Sequence, residues 1–382
     1  MIGQSARAGT GAAAEILDEA RRDMEICNAC RYCEGYCAVF PAMELRRAFS
    51  DQDLNYLANL CHNCRGCYYA CQYAPPHEFG INLPKVFAEL RVQTYAQYAW
   101  PAPLARAFER NGVLVSLIAA FGVAAVLILT MLLQSSGVLY SAHVGPGAFY
   151  TVIPYPVMLV LSAITFVFAL LAFAMGFRNF WRDTGGGPVD GRAIGRALHD
   201  VFTLRNLGGG GHGCNDLDES FSGARRWLHH AMFYGFLLCF AATCTASLYQ
   251  DFLGMRPPYG WFSLPVVLGT AGGIGLLVGT VGLFGMKLIG DPAPTARRLL
   301  GMDVALLMLL AATSLTGLLL LALRATAAMG VLLAVHFGFV LALFLVLPYS
   351  KFVHGVYRSA ALLRYAVEMT PSRASSSSSA AS

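Results

Sequence analysis

The chain of 382 residues is 56% hydrophobic and only 13% charged, with a mean hydropathy of +0.54. An ordinary soluble globular protein carries roughly 25% charged residues, so this composition excludes that class and indicates an integral membrane protein with a polar head. The net charge of +5 fits basic membrane flanks and gives no case for a nucleic-acid partner.

In chain order, "MIGQSARAGTGAAAEILDEARRDMEIC" contains no apolar h-region and is not a signal peptide, so the head is expected to stay in the cytoplasm. Residues 1–12 read as disordered and 13–25 as a short helix. "CNACRYCEGYC" then runs from Cys27 to Cys37, and a near copy, "CHNCRGCYYAC", from Cys61 to Cys71. Between them, Ser50 stands three residues before Asp53, an N-cap signal for a helix through Leu54, Leu57 and Leu60. No period-2 alternation is present, so the head reads as helical rather than built on hairpins. Residues 75–100, with Pro75, Pro76 and Pro84, lead an amphipathic segment toward the membrane.

Six apolar runs follow, at roughly 113–133, 153–177, 228–252, 261–286, 301–323 and 330–350, each near the ~20 residues that cross a bilayer. Stretches such as "GTAGGIGLLVGTVG" permit close helix packing. The region 178–227 carries Arg178, Arg182, Arg192, Arg196, Arg205, Arg225 and Arg226. Lys287, Arg297 and Arg298 follow the fourth span, and Lys351, Arg358 and Arg364 the sixth. The opposite loops offer Arg256 and Arg324. This positive-inside pattern places both termini in the cytoplasm of a bacterial inner membrane. "SRASSSSSAAS" reads as a disordered tail. The expected architecture is all-α: a tail and helix at 1–22, a helical dicluster ferredoxin head at 23–100, a six-helix transmembrane bundle at 101–366, and a tail at 367–382.

Eight of the eleven cysteines lie in the two sets, and in a reducing compartment such clustering favours metal over disulfides. Each set reads C-x2-C-x2-C-x3-C, the spacing with which thiolates hold [4Fe–4S] clusters, the fourth often crossing to the other cluster. Cys27, Cys30, Cys33 and Cys71 would then hold one cluster, and Cys61, Cys64, Cys67 and Cys37 the other. Pairing within each set is the alternative. Structural zinc prefers two C-x2-C pairs and suits these runs less well. His62 and His77 read as neighbours of the clusters, and Cys214, Cys239 and Cys244 as a loop thiol and two apolar packers.

Ionisable residues in spans are functional candidates. His229 and His230 open the third span, His336 lies within the sixth, and His354 at its end. His229 or His230 would share a depth with His354, as the two axial ligands of a b-type haem must; anchoring at the interface is the competing reading. His336 precedes His354 by 18 residues, about 27 Å of helix. It would suit a second, outer haem, but "SLYQ" at 247–250 offers no partner histidine and leaves only His143 in the outer loop. One haem b is therefore expected, with two possible, and His336 otherwise reads as a core histidine or the wall of a quinone pocket.

With "RRWLHHAMFYGFLLCF" and "HFGFVLALFLVLPYSKFVHGVYR" added to the cysteine sets, residues 23–366 resemble the tricarballylate-utilisation B family. They are also similar to the membrane half of a flavin–haem protein of cobalamin synthesis. The resemblance implies that a cytoplasmic FAD-dependent dehydrogenase oxidises a carboxylic acid such as tricarballylate, and that this chain reoxidises it and feeds the quinone pool. It puts the cluster role on the eight cysteines and the haem role on His229 or His230 with His354. Consistent with that division, no strand precedes a G-x-G-x-x-G that would hold a flavin. "LGGGGHGC" at 207–214 reads as a linker, or as a loop that shapes a quinone pocket or docks the partner. The competing class is a transporter or redox sensor with a regulatory ferredoxin head, against which stand few charges in the spans and no evident inverted repeat.

Overall fold

The computed structural model describes residues 2–108, 111–211 and 213–370. Among them helices alone form the framework, and an isolated Cys214–Ser222 bridge is the sole β pairing.

The head begins with α1 (Ile2–Cys30). It starts well before the expected residue 13, as good helix formers at Ala6, Ala8 and Ala12–Ala14 favour. Helix α2 (Val39–Glu44) and α3 (Asp51–Leu60) follow. Helix α3 opens on a capping box, the Ser50 hydroxyl accepting from the Asp53 amide at 3.2 Å. The single turn α4 (Gly66–Tyr69) carries Cys67, and α5 (Leu83–Tyr98) leads to the bundle.

Six spanning helices follow: α6 (Asn111–Leu133), then after the short α7 (Ser136–Leu139) and α8 (Ala148–Val152) the long α9 (Tyr155–Asp183), and beyond α10 (Gly191–Thr203) the helices α11 (Ala224–Leu253), α12 (Leu264–Ile289), α13 (Leu300–Leu323) and α14 (Met329–Val346). The chain is thus a multi-pass membrane protein. It closes with α15 (His354–Glu368). The region 178–227 is more ordered than a loop. Helix α9 runs on to Asp183, and α10, capped by Asp190 on the Ala193 amide at 2.7 Å, packs Ala193 and Ala197 against Ala366. Ile194, Leu198 and Phe202 stay largely exposed one turn apart on α10, with Phe202 also against Phe233.

One apolar core runs from Met24, Met43, Leu57 and Phe87 of the head into Phe180, Tyr349 and Tyr357 at the end of the bundle. Tyr95 stacks on Tyr357 with centroids 5.8 Å apart, and Tyr98 meets both Phe180 and Tyr357 edge-on. Each such pair contributes about 0.5–1.5 kcal/mol beyond its burial. A charged lock adds to it: Arg46 binds Asp53 at 2.7 Å and Glu368 at 2.6 Å, and Arg364 binds Glu368 at 3.1 Å. The head is therefore held rigidly on the helix ends.

Helices α11 and α12 touch along glycines. A methyl group on Gly235 would lie 2.8 Å from the Gly272 carbonyl, and one on Gly272 would lie 2.7 Å from the Cys239 amide. Backbone cannot yield as a side-chain end can, so Gly235→Ala is expected to cost about 1–3 kcal/mol. The thermal midpoint of the protein in detergent checks this, and an unchanged midpoint would mean that the helices are not so closely packed.

Candidate functional site

Cys27 and Cys30 sit on the last turns of α1, three residues apart and hence on one face. Left-handed backbone at Arg31 (φ 56°) turns the chain so that Cys33 follows. These three thiols line one small cavity with Cys71 and Cys67, beside Tyr32, Tyr68 and Gln72. Cys61 caps α3, and left-handed Asn63 and Arg65 (φ 56° and 66°) bring Cys64 and Cys67 round it. Cys37 lies within electrostatic reach of Cys61 and Cys64, and Cys67 within reach of all three. Cys71 thus lies with the first three and Cys37 with Cys61 and Cys64, while Cys67 reaches both groups, lining the first cavity and standing within electrostatic reach of Cys33 as well. Among the described residues no three His, Cys, Asp or Glu side chains converge on one point as a single ion requires; thiolates at the corners of a cubane have no need to.

Burial pushes the Cys33 thiol up to about 12, with Cys71 and Cys30 adding to it, and drives Cys27, Cys37 and Cys67 well up. Without positive charge among them these thiols stay protonated. Bound iron would supply that charge and favour their thiolate form. The donor set therefore fits iron–sulfur clusters.

The two sets differ in surroundings. The first opens to solvent, where Tyr32 is 69% exposed. The second is covered by the 204–223 segment. The Gly210 amide donates to Tyr36 O and the Asn215 amide to Cys64 O, both at 2.9 Å, and Cys214 packs buried beside Cys64. A methyl group on Gly209 would lie 3.5 Å from the Cys64 sulfur, and Gly209, Gly210 and Gly213 are left-handed. Close approach and backbone twist together account for the glycine run. His212 lies outside the described residues.

Beneath the second set a cavity of about 890 Å³ opens between α11, α12, α13 and α15. His229 and His354 both line it, their ring centroids 6.3 Å apart and their planes at 82°. Two imidazole–metal bonds of about 2 Å each plus two ring radii span roughly 6 Å, which matches this separation. The His354 Nδ1–H donates to the Lys351 carbonyl, which fixes the tautomer and leaves Nε2 as the free lone pair. Burial and Arg358 hold the His354 imidazole well below its usual range, hence neutral. Met232, Phe233, Phe236, Leu306 and Leu310 supply apolar walls. His229 and His354 between these walls would suit a haem, which would supply a one-electron carrier there.

The other histidines stand apart. His230 lies one residue off, on the far side of α11 against Trp227 and Tyr234, with no wall in the cavity. His336 is a core histidine: its Nδ1 bonds the Thr316 hydroxyl at 3.1 Å and its ring packs on Gly317. His143 bonds the Val138 carbonyl at 2.7 Å in its own loop. His77 accepts from the Phe79 amide at 3.1 Å at the head's surface. His62, next to Cys61, is buried, bonds the Leu60 carbonyl at 2.8 Å and also lines the cavity.

Sequence reading treats Arg225 and Arg358 as membrane flanks and passes over Arg91. In the structure Arg91 and Arg358 donate to the Cys61 carbonyl at 3.1 and 3.0 Å, and Arg225 to the Asn63 carbonyl at 2.6 Å. All three line the cavity, as do Lys287, Asp303 and Lys351, which form one ion-paired group. The one legible signal is an arginine one helical turn from each histidine, Arg225 four residues before His229 and Arg358 four residues after His354.

A ferredoxin-like cysteine head fused onto six spanning helices defines a membrane iron–sulfur protein. The chain belongs to the citrate utilization protein B family. The family model "Citrate utilization protein B" matches residues 106–375, and "Citrate utilization protein B Fer4-like domain" matches residues 20–97. A curated relative from Escherichia coli, "Citrate utilization protein B", is 48% identical over 353 residues, 92% of each chain. No solved structure matches the chain. The Fer4-like match on the cysteine-rich N-terminus points to iron–sulfur cluster binding.

Proposed function

We propose that this chain is the membrane electron-transfer protein of citrate or tricarballylate utilisation. It takes two electrons from a separate, reduced FAD-dependent dehydrogenase and delivers them to a membrane quinone, which becomes the quinol by taking up two protons. Two [4Fe–4S] clusters, on Cys27, Cys30, Cys33 and Cys71 and on Cys61, Cys64, Cys67 and Cys37, with a haem b on His229 and His354, supply one-electron carriers when bound. The observation that carries this reading is continuity. His62, Asn63 and Arg65, interleaved with the cysteines of the second set, line the same cavity as His229 and His354, and Arg358 reaches from the Cys61 carbonyl into it.

The protein's own residues keep the parts in register. Arg65 donates to the Asp216 and Asp291 carbonyls at 2.9 and 3.4 Å, and Tyr69 donates to the Asp291 carboxylate, so the second set is tied to the membrane side at several points. The arginine-rich 178–227 region and the basic end of the chain support a cytoplasmic head by the positive-inside rule, where a soluble dehydrogenase can reach it.

With the chain in lipid, a dehydrogenase reduced by its carboxylic acid is expected to reduce added quinone, and omission of the chain to stop this. Quinone reduction at an equal rate from the dehydrogenase alone would refute the proposal. So would a purified chain with neither iron nor a reducible b-type α band, the result expected of a transporter.

A further inference from the structure

We infer that Arg91, Arg225 and Arg358 tune the two clusters apart, making the buried cluster on Cys37, Cys61, Cys64 and Cys67 the more readily reduced and hence the one that faces the membrane site. This rests on the iron–sulfur part of the proposed function and adds a direction to it.

The observation is an asymmetry of fixed charge. Guanidinium groups of Arg91 and Arg358 donate to the main-chain carbonyl of Cys61 itself, and Arg225 to that of Asn63 between Cys61 and Cys64. Arg91 is buried, at 3% exposure, and the Arg358 Nε is a buried donor without a partner. Of the three, only Arg225 has a carboxylate within ion-pair distance among the described residues, Asp216 at 3.2 Å. Among the described residues no buried arginine serves the first set in this way. Its neighbouring cation, Arg31, is exposed and bonds its own turn through the Asn28 carbonyl, and the buried charged side chain one turn from Cys27 is an acid, Asp23, paired with Arg22.

Reduction adds one electron to a cluster whose thiolates already make it anionic. A nearby fixed cation stabilises the reduced form, and more strongly where water is absent. The first set, with one buried cysteine against two in the second, lacks this help, and nearby solvent screens the charges that it has. An electron donated by a reduced flavin at the solvent-facing cluster therefore moves favourably to the arginine-flanked one.

The test is a redox titration of the full chain in detergent, followed by electron paramagnetic resonance. Cys30→Ser and Cys64→Ser assign each signal to its set. The second set is expected to be reduced at the more positive potential. Arg358→Gln, which keeps an amide donor for the Cys61 carbonyl, is expected to weaken reduction of that cluster about tenfold, a shift of about 59 mV toward negative potential for one electron. The first cluster should not move, and Arg358→Lys should recover most of the loss. Arg91→Gln carries the same expectation and serves if the Arg358 variants fail to fold. A reversed order in the unaltered protein, or equal shifts of both clusters, would overturn the inference. Absence of any cluster signal would instead refute the iron–sulfur reading beneath it.

Discussion

Replacing His354 with alanine is expected to leave purified membranes without the reducible b-type α band, with iron and sulfide content close to that of the unaltered protein. The ring is the one whose tautomer the Lys351 carbonyl fixes, and its Nε2 has no other assigned use. Outer contacts to a metal ligand typically change affinity by 10–100-fold, so loss of the ligand itself should exceed about 100-fold. The clusters should survive because α15 holds the head through Arg358, Tyr357, Arg364 and Glu368, none of which is altered. His229→Ala should behave identically. His230→Ala should keep the band, because His230 packs against Trp227 and Tyr234 outside the cavity, and His336→Ala should keep it too. A normal band in His354→Ala would move the ligand pair elsewhere.

Cys30→Ser and Cys64→Ser are each expected to remove or convert one cluster, lowering iron and sulfide to about half. The crosswise grouping sharpens this. Cys71→Ser should lose the same resonance signal as Cys30→Ser, and Cys37→Ser the same signal as Cys64→Ser, since each pair serves one cavity or one electrostatic neighbourhood. Pairing within each set would give the opposite partners. Stoichiometric zinc with no sulfide, unaffected in kind by serine replacement, would mean a structural metal site.

Much was legible because local chemistry determines it. Ser50 and Asp53 announced the start of α3, and the six spans follow from apolar length alone, since a bilayer rewards about twenty consecutive apolar residues whatever their neighbours. The cysteine spacing likewise limits the chemistry before any fold is known. Less legible was the stretch 178–227, read as a loop because its glycines and arginines break apolar periodicity. Its helix α10 holds Ile194, Leu198 and Phe202 largely exposed one turn apart.

By itself, then, the sequence determined the class of the protein, its all-α character, the eight candidate cluster ligands and the short list of histidines. Only the tertiary structure decided which of them meet. His229 and His230 are adjacent, and no count of residues separates them. Successive residues on a helix point about 100° apart, so the packing of α11 alone turns one ring into the cavity toward His354 and the other out against Trp227. The same holds for Arg91, Arg225 and Arg358, which are 267 residues apart at the extremes (358 − 91) and acquire a common partner in the second cysteine set only when the head docks on the helix ends. Non-local burial makes that meeting, and a linear pattern carries no record of it.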